Sequence, residues 1–356
     1  MSVKDAEFDE LDIAIVDAVR SVPRVSWRDL APVMGVNAAT ISRRWSRMQA
    51  AGVVWVTAHP AGNATPTCAL VEINCAPGAA AAVAEALAGD VEAATVKLTS
   101  GARDLQVLVQ VPGLAALSGY LSDRIGRTPG VERVRGYIAT RSAFEASRWR
   151  EGALDPEQQR RLGAYGTARG EHDGVLEPAD HRLLRALTLD GRMSLERLSE
   201  HVGLGAVTVR RRLARLESAG LVIFRCDTSQ HLSGRAVAVT YYGSIDAHEL
   251  DAAEGRLRGL PGVRACSIVA GPHNVVIDAW LHSTAEVHEL ESKMSHALPA
   301  LRIRDRSIVL RLVKLLGRIL DAEGRSVRSV PLLHEDAGCS LVRSGLPAPS
   351  NPGSGP

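Results

Sequence analysis

One stretch of the chain occurs twice, and this internal repeat constrains the fold more than any other feature. Asp12 aligns with Asp180 at an offset of 168 positions, and Gly35 then meets Gly203 without a gap. The polar residues that follow match as well, since Thr40, Arg43, Arg44 and Arg47 meet Thr208, Arg211, Arg212 and Arg215. Self-similarity of this kind is the signature of a duplicated structural unit. We therefore predict two copies of one unit rather than one large core.

Each copy has the pattern of two helices joined by a tight turn. In the second copy Ser194 is a good N-cap and Gly203 ends the first helix. The next helix, from Ala206 to Gly220, has Val209, Leu213 and Leu216 within about 60° of one another. Its opposite face is left to threonine and arginine, which is what a helix-turn-helix presents to a major groove. The alternative is an ordinary helical hairpin with solvated arginines, but packing alone does not require the same Thr and Arg positions in both copies.

These two faces supply the candidate DNA-binding residues. Arginines are expected at phosphates and guanine edges, and threonines at phosphates or thymine methyl groups. The candidates are Thr40, Ser42, Arg43, Arg44 and Arg47 in the first copy, and Thr208, Arg210, Arg211, Arg212 and Arg215 in the second. The strand after each helix, as at Val53 to Ala58, is expected to be a hinge strand or wing.

A second unit also repeats, at an offset of 170 that aligns Gly101 with Gly271 and Pro129 with Pro299. The pattern in each copy is βαββαβ, typical of a ferredoxin-like fold. The fold class is therefore α+β, with two winged helix-turn-helix domains alternating with two ferredoxin-like domains. The predicted ranges are 8–58 and 178–227 for the helical domains, 65–141 and 235–313 for the ferredoxin-like domains, 145–177 for a linker with some helix, and 326–356 for a disordered tail.

Composition adds bounds but little specificity. A length of 356 residues requires more than one domain, and a net charge of +2 is uninformative, because a DNA-binding protein needs a local basic face. The five cysteines are scattered without a C-x-x-C pair, as expected in a reduced compartment. No apolar run approaches the length of a membrane span, so we expect a cytoplasmic protein without a membrane partner. Histidines in the second half lack metal-ligand spacing, and we predict neither a metal, a cofactor nor catalysis.

Each half resembles a full-length member of the Lrp/AsnC (feast/famine) family of transcription regulators. The resemblance rests on Leu11-Asp12, Gly35-Val36 and Ala51-Gly52-Val53 in the first half, and on Gly203-Leu204 and Ala219-Gly220-Leu221 in the second. It implies a regulator that binds double-stranded DNA, with two fused copies acting as a built-in pseudo-dimer and the fused chain forming a homodimer.

The resemblance also implies an effector site at the turn between the second and third strands of each ferredoxin-like unit. The family carries Gly-x-Tyr-Asp there, beside an amino-acid pocket. The corresponding residues are Gly101, Arg103 and Asp104 in one copy and Gly271, His273 and Asn274 in the other. Arg103 and Asp104 could hold the carboxylate and amine of an amino acid. The alternative is that the two glycines only make the turn.

A rival interpretation is an enzyme. Some proteins built from paired Lrp-like modules are siroheme decarboxylases, which place a histidine with tyrosine and arginine in that same turn. Here one turn has Arg103 and the other His273, with no such cluster in sequence.

Overall fold

Helices and strands follow one another in the same order in both halves of the chain. The computed structural model describes residues 8–62, 65–144, 152–165 and 174–334. In the first half the elements are α1 (Glu10–Ser21), α2 (Trp27–Met34), α3 (Ala38–Ala50), β1 (Val54–Pro60), β2 (Thr67–Cys75), α4 (Ala80–Ala88), β3 (Ala93–Thr99), β4 (Leu105–Val111), α5 (Leu114–Gly119) with a π-helical turn (Tyr120–Ile125), and β5 (Val131–Phe144).

The second half repeats that order, with one additional helix before it, α6 (Pro156–Gly163), a short helix inserted between its first two strands, and two further strands at its end. Its elements are α7 (Pro178–Leu189), α8 (Leu195–Val202), α9 (Ala206–Ser218), β6 (Val222–Thr228), α10 (Gln230–Ser233), β7 (Val237–Ser244), α11 (Leu250–Arg258) after a short 3₁₀ turn, β8 (Val263–Val269), β9 (Val275–Leu281), α12 (Glu286–Ala297), β10 (Arg302–Leu315), β11 (Arg318–Leu320) and β12 (Ser326–Ser329). Part of the predicted linker, residues 145–151 and 166–173, lies outside the described residues.

Each three-helix unit is specified by local signals. Asp9 caps α1 in a capping box with Asp12, and Ser26 and Asn37 cap α2 and α3. Gly35 and Gly203 end α2 and α8 in the left-handed conformation, with φ of 68° at both, where a side chain would be strained. The predicted apolar stripe of α9 is fully used, since Val209, Leu213 and Leu216 are all buried. At about 1.5–3 kcal/mol for each buried aliphatic side chain, this burial orients the helix.

The strands that follow the two helical units pair with each other. We expected each to be a hinge strand or wing; β1 and β6 in fact make an antiparallel ribbon of seven residue pairs with each other. Thr57 pairs with Arg225, its own equivalent at the 168-residue offset, and Val54–Thr228 corresponds to Pro60–Val222. The ribbon therefore lies on a pseudo-two-fold axis that relates the two helical units.

Eight further strands form a closed sheet. Each βαββαβ unit has the order β5-β2-β4-β3 or β10-β7-β9-β8, and the units join through β5–β8 and β10–β3. The two joints have the same register at the 170-residue offset: Ala139–Val269 corresponds to Val309–Thr99, and Phe144–Cys266 to Lys314–Val96. Helices cover the outer face, where the two apolar cores lie.

The segment after β10 fastens both helical units to the closed sheet. The sequence predicts disorder from residue 326, whereas β12 pairs with β11 and the Ser326 N–H donates to Gly52 O at 2.8 Å. Arg318 donates to Leu189 O, and the Leu332 N–H donates to the Thr188 hydroxyl at 3.3 Å. Sequence reasoning missed this segment because its bonds to the helical units join residues that are distant in the chain. Residues 335–356 of the predicted tail lie outside the described residues.

Candidate functional site

The two recognition helices, α3 and α9, each present a polar outer face. Arg43, Arg210 and Arg211 are exposed, and Thr40 and Thr208 are half-buried beside them. None of these three arginines forms a salt bridge within the part of the chain that the structure describes, although Arg210 lies near enough to Glu196 to interact electrostatically. Three exposed cationic side chains on the same helix faces as hydroxyl groups suit contacts with phosphates and base edges.

The other candidate arginines are engaged with carboxylates of the preceding helices. In the first unit Arg44 donates to Asp12 at 3.1 Å and to Asp9 at 2.8 Å, and Arg47 donates to Asp12 at 2.5 Å. Asp12 is fully buried. A buried carboxylate requires such partners, because an unpaired charge there would be very costly.

The second unit repeats this network. Arg212 donates to Asp180 at 3.1 Å and to Glu177 at 2.8 Å, Arg215 donates to Asp180, and Asp180 is fully buried. The hydrogen bonds to Glu177 and Asp180 raise the pKa of the Arg212 guanidinium. The arginines at positions 44, 47, 212 and 215 therefore hold the recognition helix against the first helix. Ser42 is half-buried on α3 and remains a candidate contact.

A reciprocal pair of arginines locks the helical units together. Arg192 donates to Pro23 O at 2.6 Å and to Val25 O at 2.8 Å, while Arg24 donates to Gly191 O and to Met193 O, the equivalent carbonyls of the other unit. Arg192 also lies 3.8 Å from the centre of the Trp27 ring. Burial, followed by repulsion from Arg24, lowers the pKa of Arg192 to about 10. Sequence reasoning assigned Arg24 and Arg192 no role, since nothing in their local pattern marks it.

The two candidate effector turns differ in structure: the site beside the first is filled by Arg103, whereas a small cavity lies beside the second. Arg103 is buried, pairing with Glu72 at 2.8 Å and Asp305 at 2.5 Å, and its guanidinium lies 4.0 Å from the centre of the Tyr242 ring. Gly101 has a φ of +93°, as the turn requires. Arg103 thus fills its own site, and its charge is balanced by two carboxylates of the protein rather than left for the carboxylate of an amino acid.

Asp104 and Asn274 have structural bonds in equivalent places. The Cys75 N–H donates to Asp104 at 2.8 Å, and the Ile245 N–H donates to Asn274 at 3.0 Å. Each side chain therefore ties its turn to the end of the first strand of its own unit. Asn274 keeps the acceptor that the aspartate supplies, so replacement of the family's Asp leaves the turn intact.

A small cavity remains beside the second turn. Its volume of about 10 Å³ is no more than one water molecule requires. Gly271 packs on the Tyr137 ring, where a Cβ would lie 2.6 Å from the nearest ring carbon. The buried Nδ1 of His273 has no hydrogen-bond partner among the described residues. The cavity is lined by Leu70, Glu72, Gln106, Tyr137, Tyr242, Val269, His273 and Val276. Closure of the sheet therefore gathers histidine, two tyrosines and, across Tyr242, Arg103, which are dispersed in sequence.

The inner face of the closed sheet also carries a polar network on one side of the axis. Lys97 donates to Asp278 at 2.6 Å and to Gln106 at 3.0 Å, and Thr240 donates to Asp278 at 2.6 Å. At the equivalent positions of the other side stand Ser267, Leu108, Val276 and Leu70. Among the described residues, no group of three or more His, Cys, Asp or Glu side chains is placed to hold a metal ion. Within the same residues, no helix is long and apolar enough to cross a membrane.

The helices and turns above define a helix-turn-helix DNA-binding protein with a ligand-binding domain. An AsnC-type helix-turn-helix domain matches residues 178–217, and the Lrp/AsnC ligand binding domain matches residues 68–149. The HTH-type transcriptional regulator LrpA of Mycobacterium tuberculosis is 31% identical over 141 residues, which are 38% of this chain and 90% of the relative. The chain belongs to the Lrp/AsnC family.

Two further similarities bear on function and architecture. A proline dehydrogenase transcriptional activator of Rhizobium radiobacter is 27% identical over 146 residues, 40% of this chain and 94% of the relative. The crystal structure of the siroheme decarboxylase NirDL superposes with a TM-score of 0.57 at 12% identity, covering 86% of this chain and 93% of that one. At that identity the second similarity establishes the fold alone.

Proposed function

We propose that the chain is a sequence-specific DNA-binding transcriptional regulator made of two family-length copies fused in tandem. The single observation that carries the proposal is the pair of exposed Thr/Arg faces on α3 and α9, related by the axis through the β1–β6 ribbon. A family match that spans about two-fifths of the chain supports the same division into two copies. Such a chain would work in the cytoplasm, and further pairing into a homodimer of fused chains remains our prediction.

In this proposal the arginines divide into two roles. Arg43, Arg210 and Arg211 contact DNA with Thr40, Thr208 and Ser42. The four arginines that pair with Asp12 and Asp180 set the angle of each recognition helix. The clasp between Arg24 and Arg192 fixes the separation of the two helices, so that both can enter the groove of one duplex.

We further propose that a small effector, such as an amino acid, acts at the closed sheet. The match to a ligand-binding domain supports this role. The cavity beside His273, which would widen on binding, is the better candidate, because Arg103 already occupies the site beside Gly101. Effector binding there can reach the DNA-binding face through Arg264 on β8, which donates to Asp227 on β6 at 3.2 Å.

The second candidate function is tetrapyrrole decarboxylation. It is favoured by the gathering of His273, Tyr137, Tyr242 and Arg103 around one cavity. Two features oppose it: Arg103 is already paired with Glu72 and Asp305, and a cavity of about 10 Å³ is far below the ~300–1,000 Å³ of typical small-molecule pockets. A four-ring macrocycle would need the closed sheet to open, and we therefore favour a non-enzymatic regulator.

Fluorescence anisotropy tests the proposal. Labelled DNA from upstream of the protein's own gene is titrated with purified protein. The titration is repeated with a scrambled duplex and at a series of salt concentrations. We expect tighter binding to the upstream DNA and a steep salt dependence, because each neutralised phosphate contributes about −0.9 to the slope of log K against log salt. The double variant Arg43→Ala/Arg211→Ala should lower that slope by about 2.

The matched control is Arg127→Ala, which removes an arginine that is 78% exposed and remote from both helices. Absence of binding to any DNA at low salt would contradict the regulator proposal. Addition of siroheme to the same protein then tests the rival, whose mark would be a shifted Soret band.

A further inference from the structure

The two recognition helices are not copies of each other at the positions that would reach base edges. Thr40/Thr208 and Arg43/Arg211 are the same in both, so they offer the same contacts. In contrast, Ala39 in α3 is replaced by Val207 in α9, and Ser42 by Arg210. Both differences fall in the N-terminal half of the helix, which is the part that contacts bases in helix-turn-helix complexes.

The α9 residues are placed for contact with a ligand outside the chain. Val207 is 80% exposed, an unusual position for an aliphatic side chain that contributes nothing to the core. Arg210 is exposed one helical turn later, and Glu196 of α8 attracts its guanidinium. Residues three apart are neighbours on a helix surface, about 5–6 Å between Cβ atoms, so Val207 and Arg210 form one small reading surface.

That surface has a definite chemistry. An apolar side chain in the major groove contacts the methyl group of thymine, and an arginine there binds O6 and N7 of guanine in a bidentate manner. Base pairs are about 3.4 Å apart along one strand, so two side chains at this separation reach bases one or two steps apart. Ala39 and Ser42 are shorter and offer α3 neither contact at full reach.

Orientation is fixed by the chain itself. The β1–β6 ribbon and the carbonyl bonds of Arg24 and Arg192 join the two units, so α3 and α9 are held as one rigid pair. Because α3 and α9 belong to one chain, each fused chain brings one helix of each kind to its own DNA site.

We infer that the protein reads a non-palindromic operator in one orientation, in which the α9 half-site carries thymine within two base pairs of guanine. This inference rests on the proposed DNA-binding function and adds the two residues, Val207 and Arg210, that distinguish the half-sites. A single bidentate arginine–guanine contact is worth about 1–3 kcal/mol of discrimination, or about 5- to 150-fold. Loss of Arg210 should therefore relax base preference in one half-site only.

Selection of binding sites from a randomised DNA library tests the inference with the full chain. The wild type is compared with two variants. Val207→Ala/Arg210→Ser gives α9 the residues of α3 at these two positions, and Ala39→Val/Ser42→Arg gives α3 the residues of α9. Thermal melts establish that both variants fold. Arg127→Ala again serves as the control, with an unchanged consensus expected.

We expect an asymmetric consensus for the wild type and a nearly palindromic one for each exchanged variant. The first variant should bind about 5- to 150-fold more weakly and lose the thymine–guanine element, while the second should carry that element in both halves. A palindromic wild-type consensus, or an α9 exchange that leaves the consensus unchanged, would overturn the inference while leaving DNA binding intact. Failure to enrich any sequence would instead remove the proposed function itself.

Discussion

Replacement of Arg212 by alanine separates a structural arginine from a DNA-contacting one. The variant removes the bonds to Asp180 at 3.1 Å and to Glu177 at 2.8 Å. A hydrogen bond to a charged group contributes about 1.5–3 kcal/mol, whereas an exposed ion pair such as that with Glu177 contributes about 0–1 kcal/mol. In the variant Asp180 still accepts hydrogen bonds from Arg215 and from the Glu177 N–H, and the Arg212 side chain is 23% exposed. We therefore take the lower end of the ~1.5–3 kcal/mol range for the loss.

The expected cost is about 1.5 kcal/mol in the free energy of unfolding. At about 2–4 °C per kcal/mol, this lowers the melting temperature by about 3–6 °C. The matched variant is Arg211→Ala, one position earlier on the exposed face. It should leave the melting temperature unchanged, weaken DNA binding and reduce the salt slope by about 1.

Circular-dichroism melts and anisotropy titrations well below the transition measure both quantities on both variants. We expect Arg212→Ala to change the melt much more than the salt slope. The opposite result, an unchanged melting temperature with a salt slope reduced by about 1, would refute the division of the arginines and return Arg212 to the DNA interface.

Three further outcomes are expected. Burial alone would raise the pKa of Asp227, but Arg225 and Arg264 lower it to about 2. This value is below the unfolded pKa of about 3.9, so the ionised carboxylate adds about 2–3 kcal/mol to the free energy of unfolding. That contribution is present above about pH 4 and is lost as the pH falls towards about 2. Asp227→Asn should therefore flatten urea midpoints between pH 4 and 2, and an unchanged acid limb would refute this. Arg192→Met should weaken DNA binding by loosening the clasp without altering the salt slope, so a slope change would indicate direct contact instead. Lys97→Met and Asp278→Leu should each lower the free energy of unfolding, and the sum of the two losses should exceed the loss in the double variant by about 1 kcal/mol. Losses that add up, measured from urea midpoints, would contradict that pairing.

Local signals predicted the elements, but not how the two copies meet. Helix caps such as Ser194 and turns such as Gly203 are written within a few residues, so the element order could be predicted. The pairing of β1 with β6 could not, because strand edges do not identify their partner and a period-two pattern fits a wing equally well. The structural roles of Arg44 and Arg212 could have been predicted, because the repeat aligns their carboxylate partners, Asp12 and Asp180, in the same way as it aligns the arginines.

The inner face of the closed sheet explains why fusion of two copies suits this sequence. If two first copies met across the axis, Lys97 would face Leu108 of its twin instead of Asp278, and the arrangement would occur twice. A largely buried ammonium without its carboxylate is unfavourable, so such a pair would be less stable than the pairing observed. Pairing of first with second copy satisfies Lys97, Gln106 and Thr240 together. The copies have thus become complementary rather than identical, and the same asymmetry inside the sheet permits two different recognition helices outside it.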